Sequence, residues 1–180
     1  GEDEESADEN AFNRKKVWQK ILIVAAGAIM NLILGVVIVA TCLSMEDLIG
    51  TNQILKFEEN AISQQSGLKE GDQILEIDGH RVFSDMDISF LMTRSDDGIY
   101  DMTVRRDGKK VELSDVKFQT TVEQGYTLIK YDFIIRGVEP NFLNVVTNAF
   151  KQTASIGRLV WLSLFDLVTG KFGLSDLSGP

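Results

Sequence analysis

The amino-acid sequence predicts an α+β membrane protein with one transmembrane helix, a small, mostly antiparallel barrel-like domain and a C-terminal amphipathic helix. Three patterns support this prediction. A long uncharged stretch lies near the N-terminus, short alternating segments between turn residues fill the middle, and apolar residues recur at helical spacing near the C-terminus. A chain of 180 residues is long enough for one globular domain plus membrane segments.

The first element is the stretch from Ile21 to Met45, which holds 25 consecutive residues without a charge. An α-helix needs about 20 apolar residues to cross a hydrocarbon core. A cleaved signal peptide has an apolar run of only about 7 to 15 residues, followed by a small-residue cleavage site. We therefore predict that residues 17–48 contain a transmembrane helix that stays in the mature protein.

The charges on either side of this helix predict its orientation. Basic residues crowd positions 14–20, whereas Glu46 and Asp47 follow the stretch, so the N-terminal side is expected to be cytoplasmic with Trp18 at the interface. Residues 1–16 form an acidic and then basic segment. Six acidic residues lie in the first ten, and removing them would change the formal net charge from −9 to −3. Such a run predicts a solvated tail, and the balanced remainder excludes a nucleic-acid-binding protein.

The domain predicted for residues 49–138 consists of short strands and two helices. Gly71-Asp72, Asp78-Gly79 and Asp107-Gly108 are turn signals. Ser84 is a candidate N-cap for a helix of about ten residues, with Asp85 and Asp87 favoured in its first turn by the helix dipole. The other expected elements are strands at Gln53–Glu58, Gln73–Ile77, His80–Phe83, Tyr100–Arg106, Lys109–Leu113, Val116–Thr121 and Tyr126–Gly137, and a short helix at Ala61–Ser66.

The last region, residues 139–180, is predicted to hold an amphipathic helix and a loop. Apolar residues recur every three or four positions from Asn141 to Gly170, but Lys151, Arg158 and Asp166 interrupt the apolar face. These charges argue against a second full span. The helix would lie on a membrane surface or on other helices of the protein, and packing on a protein core fits the pattern equally well.

Residues 66–79, S-G-L-K-E-G-D-Q-I-L-E-I-D-G, resemble the A-G-L-x-x-G-D-x-I-x-x-I-(D/N)-G motif of bacterial PDZ domains. The resemblance implies a PDZ-like fold. It also implies that an extended peptide binds as an added strand beside the helix that runs from Ser84 to Arg94. PDZ domains occur on proteases and on scaffolds, so the motif does not identify a reaction. The sequence does not indicate which residues bind the peptide.

Ala26-Gly27-Ala28-Ile29-Met30-Asn31 resembles the A-G-P-x-x-N motif in a transmembrane helix of the site-2 protease family of intramembrane zinc metalloproteases. The closing L-S-G-P at 177–180 also resembles this family, and the motifs occur in the same order. One difference is Ala28, where the family more commonly has proline. This difference removes a possible helix kink but retains Gly27 and Asn31.

Gly27, Asn31 and Gly35 are four residues apart and lie on one face of the helix. Spacing alone predicts a helix-packing stripe in which Asn31 forms an interhelical hydrogen bond. The resemblance implies instead that Asn31 lies near the active site and contacts the substrate backbone or the developing oxyanion. Gly27 and Gly35 would then pack against the substrate helix.

A zinc protease of this family needs an H-E-x-x-H helix and a third ligand from an L-D-G motif. Neither motif is present. The one histidine, His80, is predicted to be a surface residue of a hairpin and not a ligand. We therefore expect zinc in the full-length protein, no metal ligands and no bound zinc in this chain, and no activity of this chain alone.

The resemblance predicts the middle fragment of a protease that cleaves transmembrane substrates, such as membrane-anchored regulators, in regulated intramembrane proteolysis. The PDZ-like domain would exclude bulky, uncleaved substrates. Expected partners are these substrates, peptides and membrane lipid, in a multi-pass cell-membrane protein with the PDZ-like domain outside the cytoplasm. The alternative is a non-enzymatic membrane-anchored PDZ adaptor or a fragment of a tethered serine protease. H-E-x-x-H and L-D-G motifs in the neighbouring coding sequence would favour the zinc protease.

Overall fold

The computed structural model describes residues 16–95, 97–123 and 126–169. The predicted acidic tail and the L-S-G-P segment lie outside these ranges. The described residues form four helices and eight strands. They are α1 (Val17–Ser44), β1 (Ile49–Phe57), α2 (Ile62–Gln65), β2 (Gln73–Ile77), β3 (His80–Arg81), α3 (Asp85–Met92), β4 (Ile99–Arg106), β5 (Lys109–Lys117), β6 (Gln119–Glu123), β7 (Tyr126–Lys130), β8 (Phe133–Val138) and α4 (Phe142–Val168).

The strands form two antiparallel sheets. One sheet has the order β5-β4-β2-β1-β8, with β3 also paired to β2, and the second consists of β6 and β7. Among the described residues β5 and β8 do not pair, so the order ends at two open edges. We call residues 49–138, which contain both sheets with α2 and α3, the sheet domain.

The core of the sheet domain contains the apolar residues of the predicted motif. Leu68, Ile74 and Ile77 have no exposed surface and pack with residues of α3 and β4. Fully burying one such side chain contributes about 1.5 to 3 kcal/mol. The motif therefore specifies the fold through its core positions.

Asp72 of the same motif is a buried structural carboxylate. It accepts hydrogen bonds from Nε and Nη2 of Arg106 at 2.8 and 2.7 Å and from the Lys69 N–H at 2.9 Å. Paired contacts from one guanidinium are among the stronger hydrogen bonds in proteins. Gly71, with φ of +86°, adopts the turn that places this carboxylate.

Long-range pairing shifts two predicted strand boundaries. β1 begins at Ile49, four residues before the predicted start, because Ile49 pairs with Val138 of β8. The predicted strand Tyr126–Gly137 is two strands, separated at Tyr131 and Asp132. Asp132 points into the domain, where its carboxylate accepts hydrogen bonds from the N–H and Oγ of Ser63 at 2.9 and 2.5 Å.

The predicted strand Val116–Thr121 is also divided. β5 continues through Lys117, and β6 begins at Gln119. The N–H of Phe118, between the two strands, donates to the Gly98 carbonyl at 2.8 Å, and the Phe118 ring is buried in the core. The buried position of Phe118 therefore ends β5 and allows β6 to begin in the second sheet.

Helix α1 has 28 residues and is long and apolar enough to cross a membrane. Its C-terminal half packs against the N-terminal half of α4 in a second small core formed by Leu43, Ile49, Val145 and Ala149. The two long helices therefore meet near the entry to and exit from the sheet domain.

Two of the charges that interrupt the apolar face of α4 bind the sheet domain. Arg158 Nη2 lies 2.7 Å from Asp87 Oδ1, and Asp166 Oδ1 lies 2.6 Å from Arg94 Nη2. Ser155 Oγ donates to Asp87 Oδ2 at 2.7 Å. The face of α4 that carries Ser155, Arg158 and Asp166 therefore packs on the sheet domain. This agrees with the predicted alternative in which the helix packs on a protein core.

Candidate functional site

A groove lies between helix α3 and strand β8. One edge of β8 pairs with β1, and no strand among the described residues pairs with its other edge. A cavity of about 230 Å³ lies between this strand and α3. Its lining residues are Asp85, Ile88, Ser89, Tyr131, Phe133 and Ile135. An open strand edge beside an apolar cavity can accept an extended peptide as an additional strand.

The helical wall of the groove is fixed at its N-terminus. Ser84 is the N-cap of α3, as predicted, and Asp87 Oδ2 accepts hydrogen bonds from the N–H groups of Phe83 and Ser84 at 2.7 and 3.1 Å. Asp87 is completely buried and also binds Arg158. The sequence predicted Asp87 only as a helix-dipole residue and did not indicate this pairing.

Aromatic residues build the other wall. The Phe133 ring makes edge-to-face contacts with Phe57, Phe118 and Tyr131, at centroid distances of 6.4, 5.9 and 6.4 Å. The Tyr131 hydroxyl donates to the Ser89 carbonyl at 3.3 Å and links the two walls at one end of the groove. Burial raises the pKa of Tyr131, so this hydroxyl stays protonated and remains a donor at neutral pH.

A second cavity, of about 330 Å³, adjoins the groove near the end of α1. Both cavities are lined by Asp85 and Ser89, and the second also reaches Glu46. Gly50 allows the Asp85 carboxylate to lie against β1, because a Cβ at this position would be 1.9 Å from Asp85 Oδ2. The contact joins distant parts of the chain, and no local sequence signal indicated it.

The three residues singled out on α1 lie apart from the groove. Asn31 and Gly27 are exposed, and they line neither cavity. A Cβ at Gly35 would lie 3.9 Å from Thr153 Cγ2 of α4, whereas one at Gly27 would meet nothing within 4 Å. Of the two glycines in the small-residue stripe, Gly35 therefore lies near α4, whereas no described atom lies close to the same face at Gly27.

His80 lies in the hairpin formed by β2 and β3, as predicted, and its side chain is half-buried there. It lies in β3, and its Nε2 accepts a hydrogen bond from Arg94 Nη1 at 3.1 Å. Burial and the nearby cations Arg94 and Arg158 lower the pKa of His80. Among the residues that the structure describes, no group of three or more His, Cys, Asp or Glu side chains could hold a metal ion.

Comparison with known proteins identifies the family. The family model for Peptidase family M50 matches residues 2–180. The chain belongs to Peptidase family M50. This result confirms the resemblance to the site-2 proteases.

Two relatives carry protease names. The chain is 31% identical over 170 residues to the regulator of sigma-W protease RasP of Bacillus subtilis. It is 30% identical over 170 residues to the zinc metalloprotease RasP of Bacillus licheniformis. Each match covers 94% of this chain and 40% of the relative, so the chain spans less than half the length of either. A solved PDZ domain of an SdrC-like protein from Listeria innocua is 19% identical, with a TM-score of 0.39, and the match covers 51% of this chain and 99% of that one.

Several relatives in Peptidase family M50 are named zinc metalloproteases. The described part of this M50 chain does not fit a zinc ion, because its single histidine already binds Arg94 and no ligand cluster surrounds it. A tetrahedral zinc site needs three or four such ligands around one point.

Proposed function

We propose that this chain is the substrate-selecting middle part of an intramembrane zinc metalloprotease that acts in regulated intramembrane proteolysis. The sheet domain would be a PDZ-like domain that binds extended peptide segments. The observation that carries this proposal is the groove, in which the open edge of β8 faces α3 across an apolar cavity. The zinc ligands would lie outside the described residues.

Binding would begin with backbone hydrogen bonds between the peptide and the open edge of β8. Alternate peptide side chains would point towards α3 and enter the cavity beside Phe133 and Ile135. An open edge strand invites non-specific pairing. Helix α3 restricts this risk, because a strand added at this edge must also fit between β8 and the helix.

We also propose that α1 spans the cell membrane with its N-terminus in the cytoplasm and the sheet domain outside. Helix α4 supports a second membrane contact. Its charged residues Arg158 and Asp166 bind the sheet domain, and its opposite face is apolar. The large exposed apolar residues on α4 are Phe142, Leu143, Phe150, Ile156, Val160, Trp161, Leu164, Phe165 and Val168. This face would lie against lipid or other membrane helices.

Asn31 is proposed to contact the substrate backbone or the developing oxyanion, with Gly27 and Gly35 allowing the substrate helix to approach. No described residue donates to or accepts from its amide, and the side chain is exposed on an apolar helix. An unpaired amide in hydrocarbon is costly. This cost supports a partner outside the described residues, which a bound substrate would provide.

A substitution that fills the groove tests the peptide-binding proposal. Ser89 is exposed and lines both cavities, so Ser89→Trp should block peptide entry without disturbing the core. We expect peptide affinity, measured by fluorescence polarisation, to fall by about tenfold or more. Glu112→Trp is the matched control, because Glu112 is exposed on β5 at the opposite edge of the sheet. Equal peptide affinity of the two variants would contradict the proposal that peptides bind in the groove.

A further inference from the structure

The two cavities beside α3 share two lining residues, and we call the two cavities together the trough. The shared residues are Asp85 and Ser89. The Tyr131 hydroxyl donates to the Ser89 carbonyl in the first cavity, and the second cavity reaches Glu46 after the end of α1. The first cavity is lined by Phe133 and Ile135 of β8, and the second by Ile49 and Gly50 at the beginning of β1.

The charges that line this trough are all negative. Asp85 and Glu46 contribute carboxylates, and no Lys, Arg or His lines either cavity. Within the described ranges, no cationic group lies within 4 Å of these two carboxylates. This differs from the buried carboxylates of Asp72, Asp87 and Asp166, each of which is paired with an arginine.

Asp85 is held in place although it lacks a cation. Its Oδ1 accepts a hydrogen bond from the Met86 N–H at 3.0 Å, and its Oδ2 lies against Gly50, where no side chain would fit. The side chain is half-buried between α3 and β1. A fixed and partly desolvated carboxylate attracts a cation more strongly than a mobile surface carboxylate does.

We infer that the trough selects peptide segments with a lysine or arginine beside the N-terminal end of α3. This inference rests on the proposed function of the groove as a peptide-binding site. The cation would contact Asp85, with Glu46 adding attraction further along the trough, while apolar side chains occupy the cavity at Phe133 and Ile135. Glutamate or aspartate at the same peptide position would be repelled.

The geometry also limits where the cation lies in the peptide. Asp85 shares a cavity with both Phe133 and Ile135, which are two residues apart on β8. A strand advances about 3.3 Å per residue. The basic residue should therefore lie within a few positions of the apolar residue that packs on Phe133.

The test uses ten-residue fluorescent peptides with apolar side chains at alternate positions. One set carries a single lysine moved through the sequence, and the matched set carries glutamate at the same places. Affinities are measured for the full chain in lipid nanodiscs. We expect the lysine peptide to bind about tenfold tighter than its glutamate partner at one restricted position, with a smaller difference at high salt.

Two variants assign the preference to Asp85. Asp85→Asn retains the shape of the side chain and should reduce the lysine preference to less than about twofold, and Asp85→Lys should reverse it. Asp107→Asn is the control, because Asp107 lies at the exposed turn between β4 and β5. Equal binding of lysine and glutamate peptides to the unmodified chain would overturn the inference but leave the groove intact. If none of the peptides binds saturably, the proposed function is overturned as well.

Discussion

We expect the stability of the sheet domain to depend on pH through the titration of His80. Its Nε2 accepts a hydrogen bond from Arg94, so the ring must be neutral at this nitrogen, and burial and the neighbouring arginines lower its pKa. As the pH falls below the unfolded pKa of about 6.5, the unfolded chain takes up the proton before the folded chain does. Stability should therefore decrease from pH 6.5 until the folded pKa has been passed.

The measurement is the thermal unfolding midpoint between pH 7.5 and pH 5. We expect the His80→Gln variant to lose less stability over this range, because a glutamine oxygen can still accept from Arg94 but does not titrate. Other groups titrate equally in both proteins, so only the difference between the two profiles is informative. Parallel profiles would show that His80 is not the cause.

Asn31 is the residue on which the catalytic proposal depends. In the full-length protein, Asn31→Ala should reduce turnover of a model transmembrane substrate by about 10²- to 10³-fold, the loss typical of one oxyanion donor. Zinc content should not change. If Asn31 serves only in helix packing, removing its amide should weaken helix association by about 1 kcal/mol. Near-normal turnover of both Asn31→Ala and Asn31→Leu, at equal expression, would assign Asn31 to packing.

Some residue roles could be predicted from the sequence, whereas others depend on distant partners. Leu68, Ile74 and Ile77 belong to the local motif from which the sequence analysis inferred a PDZ-like fold, and all three are buried in the core. The partner of Asp87 is 71 residues away and that of Arg94 is 72 residues away. The local sequence shows that a charged residue interrupts the apolar face of a helix. It does not show which oppositely charged residue pairs with that charge.

At the scale of elements, Arg158 fixes α4 to α3. Its guanidinium binds the completely buried Asp87 and lies 5.1 Å from the centre of the Phe83 ring. Arg158→Gln would leave the carboxylate without a charge partner. Breaking a buried ion pair costs about 3 to 5 kcal/mol, and partial exposure of Arg158 reduces this to about 2 to 4 kcal/mol.

Hydrogen exchange measures this loss along the helix. Arg158→Gln should increase exchange over residues 155–168, whereas Lys151→Gln should not, because Lys151 is exposed on the same helix. The double variant Asp87→Asn with Arg158→Gln should recover part of the protection, since no buried charge remains. Equal hydrogen-exchange rates in the two single variants would contradict the conclusion that Arg158 fixes α4 to α3.

The helices were easier to predict than the strand boundaries. α4 begins at Phe142 and ends at Val168, close to the predicted range, because its 3.6-residue periodicity is encoded locally. The start of β1 depends on its pairing with β8, nearly ninety residues away in sequence. The groove depends on the same pairing. The sequence could therefore place the proposed peptide site beside α3, but it could not predict the residues that line the groove.

For the whole molecule, the paired ends of the sheet domain permit a test of its role. Gly50 of β1 pairs with Gly137 of β8, so the chain enters and leaves the domain at neighbouring points. Residues 51–136 can therefore be replaced by an Asn-Gly turn while Leu43, Ile49, Val145 and Ala149 keep their contacts between the long helices. Arg158→Gln and Asp166→Asn must accompany the deletion, because their partners are removed with the domain.

If the sheet domain only selects substrates, the shortened full-length protease should cleave an already trimmed transmembrane substrate at a rate within about threefold of the unmodified enzyme. It should also cleave the untrimmed substrate, which the unmodified enzyme is proposed to reject, because the groove would no longer restrict entry. The protein with only the two substitutions on α4 is the control and should still discriminate. Loss of cleavage of the trimmed substrate, in a variant that inserts normally and retains its zinc, would show that the sheet domain takes part in catalysis itself.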